Sequence, residues 1–440
     1  MKNSLHYQLF VIALPMILSN ITVPLLGLVD TAVIGHLEHA YYLGASTVGA
    51  TVIASITWLC GFLRMSTTGL AAQAYGEQNS QLGLTVLIRG ILVALLISLV
   101  VLLCQSLFIP FAIALSGGSA QVQLYATQYA EIRVWGLPAA LSNLVLIGWL
   151  LGNHHAKAVM WLLIMTNLIN LVLDILFVVY LDWQVAGVAM ATLIAEYSCL
   201  FIGLVIVSNK LSLKVKNFYG QLTHSLINKV VLIDYFKLNR DILIRTLSLQ
   251  LCFIFITFQG ARLGDHVVAA NAILMNFLLF ISFGLDGIAN AAEVMVGKAK
   301  GAQNYRRIKQ VVTISLWWSF AFASLYSLLF LFAGQSIIML ISDITSVIEY
   351  AEQFLIWIVI LPLVACWSYL FDGIYIGLTE ARIMRNSMLA STFLCFFPVW
   401  WSLQSLGNHA LWLAFTVFML ARGITLAWHY RTHLAGKAIY

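Results

Sequence analysis

The chain has 440 residues, of which 62% are hydrophobic and only 9% charged, whereas soluble domains carry roughly 25% charged residues. A soluble globular protein is excluded, and a mean hydropathy of +0.94 agrees. The net charge of +6 does not point to nucleic acid, because the Lys and Arg residues are scattered among loops and not gathered on one face.

No Asp, Glu, Lys or Arg occurs between Arg89 and Glu131, between Lys309 and Asp343, or between Arg385 and Arg422. A transmembrane helix needs about 20 apolar residues, so each gap holds at least one span. The runs are dense in Leu, Ile and Val without the alternation a barrel strand needs, which leaves helices. Polar and Gly/Pro punctuation then places twelve spans, near 8–34, 44–72, 86–112, 126–152, 157–181, 184–208, 237–261, 267–297, 310–334, 350–377, 386–405 and 409–430. Lys2 precedes an apolar run as in a signal peptide, but no small-residue cleavage site closes it before Pro24 and Asp30, so it reads as a retained first span.

An even number of spans puts both termini on one side. Lys2, Lys157, the set Lys210 to Lys229, the set Lys298 to Lys309, then Arg382, Arg385, Arg431 and Lys437 share that side. The positive-inside rule makes it the cytoplasm. A shift of 225 residues matches Ala45 to Ala270, Gly76 to Gly301, Gln78-Asn79 to Gln303-Asn304, Gly148 to Gly373, Gly152 to Gly377 and Ala189 to Ala414. The expectation is a duplication: an N-lobe at 1–208, a cytoplasmic linker at 209–235 and a C-lobe at 236–440. Six spans per half make the repeat parallel, an arrangement found in secondary transporters with a central site.

Ionisable groups at bilayer depth are costly and so mark function. The candidates are Asp30, Arg64, Asp174, Glu196, Asp286, Glu293 and Asp372. With a one-residue slip before position 45, Asp30 corresponds to Ile256; at the plain offset Asn170 corresponds to Cys395, Asp174 to Val399 and Thr192 to Val417, so the N-lobe is polar where its sister is apolar. At 1.5 Å per residue Asp30, Asp174 and Thr192 each lie roughly 6 to 12 Å below the outer surface. Asn170 and Asp174 are four apart and share a helix face. Two carboxylates in one low-dielectric pocket cannot both ionise cheaply, so the pair can take up and release a proton. The structural alternatives are a helix-end acid at Asp30, interhelical hydrogen bonds at Asn170 and Asp174, and close packing at Thr192. Asn143 on span 4 is a further pocket candidate. Glu196 is favoured as a structural pair member, and Asp286, Glu293 and Arg64 as a buried polar set between lobes. No GxxxxGK[ST] sequence or pore-loop signature is present. Six cysteines in apolar stretches lack metal or disulfide spacing, and His154-His155 sits in a loop, so neither a metal nor another cofactor is expected.

LPMILSN at 14–20, VPLLGLVDTAVIGHL at 23–37, QAYGEQN at 73–79, NLINLVLD at 167–174 and VAGVAMAT at 185–192 resemble the multidrug and toxic compound extrusion family. LRMSTTGL at 63–70 is similar to its DinF branch. The resemblance implies an all-α membrane protein of twelve helices in two six-helix lobes arranged as a V. It also implies an exporter of drugs, organic cations and amphiphiles, not an enzyme, acting as a monomer in a bacterial inner membrane and driven by protons or sodium. Asp30 matches the family's coupling acid, Asn170, Asp174 and Thr192 its pocket, and Pro15 its bending point. Asp372 matches an acid of a second, sodium-type site, but span 7 offers no Glu near Ile256. A lipid-linked precursor flippase, which shares a distant two-lobe relationship, is the alternative from another class.

Overall fold

The computed structural model describes residues 4–35, 39–211, 229–341 and 345–434; the side chains of 23–33, 35, 40, 229, 230 and 265 lie outside the described residues. Almost everything described is helical. Span 1 is Leu5–Gly35, and span 2 is Ala40–Leu59 followed, after a break at Cys60-Gly61, by Phe62–Gly76. Span 3 is Ser80–Ala114, and span 4 is Ala120–Arg133 and Leu137–Gly152 joined by a 3-10 turn. Span 5, Ala156–Asp174, continues as a π-helix to Tyr180, and span 6 is Gln184–Leu211. Spans 7, 8 and 9 are Lys229–Leu263, Asp265–Gly301 and Tyr305–Ile341. A short helix, Thr345–Gln353, precedes span 10, Leu355–Gly377, and span 12 is Asn408–His429.

Eleven of these segments, counted among the described residues, are long and apolar enough to cross a membrane. The remaining expected span, span 11, divides into Ala381–Ala390, a π-turn at Ser391–Phe396 and Phe397–Ser402. Pro398 accounts for the break, because its ring crowds the carbonyl one turn back and it has no N–H to donate, which a widened turn accommodates. Span 7 starts well before the expected 237. Its charged first turns are held by the Asp234–Lys237 pair at 3.3 Å and by Asp241, which accepts from Arg385 at 2.7 Å and from Arg240 at 3.0 Å.

Contacts divide the chain into an N-unit, Leu18–Ile233, and a C-unit made of Met1–Ile17 and Asp234–Tyr440. Span 1 thus contributes its first half to one unit and its second half to the other. In the C-unit His6 accepts from the Trp318 indole at 3.0 Å, Gln8 accepts from Arg307 at 3.0 Å, and Ala13 and Ile17 pack on Gly287, where a Cβ would collide with the Ile17 side chain and stand 3.2 Å from the Ala13 carbonyl oxygen.

The duplication is visible in the backbone of each unit taken by itself. Gln78 and Gln303 both adopt positive φ, at 55° and 52°, and so do His154 and Thr379, at 63° and 53°. Asn79 caps span 3 by accepting from Leu82 N–H at 3.0 Å, as Asn304 caps span 9 by accepting from Arg307 N–H at 2.9 Å. In the N-unit a Cβ on Gly148 would stand 2.6 Å from the Arg64 carbonyl oxygen, and one on Gly152 2.7 Å from that of Thr68. In the C-unit Gly373 and Gly377 meet the carbonyls of Ala289 and Glu293 in the same way. Only glycine permits so close a crossing. Each unit is therefore built on one tight helix pair, spans 2 and 4 or spans 8 and 10, and outward residues such as Leu103, Leu107, Phe332 and Leu340 are left exposed.

Candidate functional site

The polar site of the N-unit is made by spans 5 and 6. Asp174 and Asn170 are 0% and 1% exposed, one turn apart on the inner face of span 5. With its amide nitrogen toward the carboxylate, Asn170 donates to Asp174 Oδ2 at 3.2 Å and its oxygen lies 3.2 Å from Thr192 Oγ1. The amide thus bridges an acid on span 5 and a hydroxyl on span 6. The Thr192 hydroxyl also lies 3.0 Å from the Val188 carbonyl. Immediately after Asp174 the helix widens into its π segment, and Gly187 of span 6 lets that segment approach, since a Cβ there would be 3.1 Å from Val178 and 3.2 Å from Phe177.

One turn further along span 6, Glu196 is gripped by both arms of Arg133 from span 4, at 2.8 and 2.9 Å. A Cβ on Gly136 would intrude at 2.5 Å from Glu196 Oε2, so this glycine makes room for the pair. Asn143, 7% exposed, donates to the Glu196 backbone carbonyl at 2.9 Å. The structure therefore brings Asn170, Asp174 and Thr192 together and joins Asn143 to span 6 one turn from Thr192.

Span 1 runs unbroken through Pro15 and Pro24. Pro15 is buried in the C-unit portion, and Asp30 lies on the N-unit portion with its side chain outside the described residues. Backbone register still fixes its height. Asn167 of span 5 donates to the Thr22 carbonyl of span 1 at 3.3 Å, and Ile34 shares an apolar cluster with Val178, Val185, Val188 and Ala189. Spans 1 and 5 are therefore parallel neighbours. Asp30 is eight residues above Thr22 and Asp174 seven above Asn167, so at 1.5 Å per residue their α-carbons differ in height by about 2 Å.

In the C-unit, Asp372 of span 10 is held by two arginines on one carboxylate oxygen: Arg245 of span 7 at 2.8 Å and Arg422 of span 12 at 2.5 Å. Glu293 is buried, while Asp286 in the same unit and Arg64 in the N-unit are half-buried. Asn271, Asn408 and Trp412 close a separate hydrogen-bonded set at 2.8 to 2.9 Å. Arg133, Arg245 and Arg422 were missed by sequence reasoning, although each lies inside an expected span and depth alone singles it out. Outside the spans, burial and then the nearby Lys210 hold the His155 ring below the usual histidine range.

The MatE family profile matches residues 15–176 and 242–401. The chain belongs to the MATE family. It is 46% identical over 426 residues to the DNA damage-inducible protein F of Escherichia coli K12, covering 96% of this chain and 91% of that one. It is 24% identical over 359 residues to a probable multidrug resistance protein NorM of Bacillus cereus, covering 80% of this chain and 78% of that one. Crystal structures of a MATE protein in straight and bent conformations match the fold with TM-scores of 0.88 and 0.86 at 16% identity, covering 100% of this chain and 98% of theirs. This MATE protein is thus a multi-pass membrane transporter with the twelve-helix, two-lobe architecture of its family and is not an enzyme.

Proposed function

We propose that this MATE protein exports drugs, organic cations and other amphiphiles in exchange for protons. It would act as a monomer in a bacterial inner membrane, with both termini in the cytoplasm and no cofactor beyond the ion gradient. The Asn170 bridge between Asp174 and Thr192 carries the reading. An amide that donates to one acid and accepts from a hydroxyl can re-form its bonds when a proton arrives, at little cost in position. The α-carbon of Asp30 lies about level with that of Asp174 on the adjacent span, which supports Asp30 as the acid that takes up the proton. Discharge of the acid and a bend near Pro15, where a backbone donor is missing, would move the upper half of span 1 and expel substrate.

Sodium in the same place would want about six oxygen ligands in a defined shell. Asp30, Asn170, Asp174 and Thr192 supply side chains from only four residues, whereas a proton needs one acceptor and one partner. The relative named as a probable multidrug resistance protein supports drugs as cargo. The test is accumulation of a fluorescent organic cation in cells expressing Asp30→Asn, which keeps the shape of the side chain and removes its titration. The parent is expected to keep cells clear of dye and the variant to lose that ability at equal membrane abundance; export by the variant at the parent's rate would overturn the assignment.

A further inference from the structure

We propose that Arg245 and Arg422 are ion-specificity residues: a built-in pair of counter-cations that occupies the Asp372 carboxylate and closes the C-unit to sodium. Asp372 is the one acid of span 10, and an acid at that depth is by default a functional candidate whose charge a small cation could meet. Here the place is taken. Both guanidinium groups donate to the same oxygen, Oδ2, at 2.8 and 2.5 Å. The Arg245 and Arg422 side chains are only 6% and 4% exposed, and that of Asp372 15%.

The arginine side is fixed as firmly as the acid. Arg422 sets its other arm 3.2 Å from the Met419 sulfur and its guanidinium carbon 5.4 Å from the centre of the Phe418 ring. Those partners leave it nowhere better to put its charge. Two arginines on one carboxylate make a set with no uncompensated negative charge. A sodium ion added to it would bring uncompensated charge against two guanidinium groups already on the oxygen it seeks. Arginine suits this duty because its guanidinium stays protonated at any working pH, which lysine at such depth does not.

The clamp belongs to the C-unit alone. The repeat, with its one-residue slip before position 45, places Ser19, Ile147 and Tyr197 where the C-unit has Arg245, Asp372 and Arg422. At the Asp372 position the duplicated frame has therefore acquired a clamped acid in one lobe and the apolar Ile147 in the other. Confining the coupling ion to the N-unit rests on the function proposed above; the exclusion of sodium from the C-unit stands without it.

The test is binding of radioactive sodium, together with thermal stability in sodium chloride against choline chloride, on purified full-length protein. No substrate or gradient is involved, so failure of the transport reading leaves the result interpretable. The parent is expected to retain no sodium that Asp372→Asn removes and to melt at one temperature in the two salts. Arg245→Gln with Arg422→Gln frees Asp372, and this variant is expected to retain sodium and to melt at least about 2 °C higher in sodium chloride. Adding Asp372→Asn should abolish both effects. The single Arg422→Gln variant serves where the double one does not fold and should show the same effects more weakly. A merely structural clamp predicts lower stability in both salts alike, with no sodium response. That outcome, or sodium retention by the parent that Asp372→Asn removes, would overturn the proposal.

Discussion

Gly152 of span 4 lies so close to span 2 that a Cβ on it would stand 2.7 Å from the Thr68 carbonyl oxygen, and Gly377 stands to Glu293 as Gly152 does to Thr68. Both members of the second pair lie 225 residues after those of the first. Backbone-to-backbone approach of this kind cannot be relieved by a rotamer change, because the obstacle is a carbonyl within a regular helix.

Gly152→Leu and Gly377→Leu should therefore each destabilise their unit by about 3 kcal/mol or more, beyond the usual cost of overpacking a core. Gly83→Ala is the control, since a Cβ there makes only ordinary contacts at 3.9 Å with Ala74 and Trp149. Thermal melting in detergent with a fluorescence readout checks both, and a leucine variant that melts with the parent would contradict the close crossing.

The Arg133–Glu196 pair should behave as a buried ion pair, since the two side chains are only 11% and 19% exposed. Glu196→Gln leaves Arg133 without its charge partner and is expected to cost about 3 kcal/mol. Arg133→Met combined with Glu196→Leu should recover most of that loss, because nothing charged then remains buried. A double variant less stable than the single one would show that packing around Gly136, and not charge, decides the outcome.

Much of this architecture was legible before any coordinates. Hydropathy marks the spans, and Gln78-Asn79 recurring as Gln303-Asn304 marks the duplication, because that dipeptide encodes a turn: a residue at positive φ followed by a helix cap. Span 11 was legible only as a length of apolar chain, since hydropathy is blind to the widened turn that Pro398 imposes. The charged start of span 7 resembled linker because the stabilising partner of Asp241, Arg385, is 144 residues away. Arg133–Glu196 and Arg245–Asp372 are separated by 63 and 127 residues and have no local signature. Asn170, Asp174 and Thr192 were recoverable because helical spacing and common depth bring them together without any long-range knowledge.

Asn170 is expected to matter more than Thr192. Asn170→Ala removes both bonds of the bridge, one of them to an acid, and should slow export roughly tenfold. Thr192→Val removes a neutral hydroxyl that can turn to its own Val188 carbonyl, and the loss should stay within about threefold, since membrane hydrogen bonds average about 0.6 kcal/mol. Initial export rates at matched expression decide the order; a Thr192→Val defect larger than that of Asn170→Ala would reverse the roles.

The central claim, that a proton taken up in the N-unit drives export, is tested most directly with the purified protein in liposomes. Uptake of a fluorescent organic cation is followed under an imposed pH gradient at equal sodium on both sides, then under an imposed sodium gradient at fixed pH and membrane potential. The pH gradient should drive transport in the parent and fail in Asp30→Asn and, less completely, in Asp174→Asn, while the sodium gradient drives none. Transport under the sodium gradient alone, with no response to the pH gradient, would contradict it.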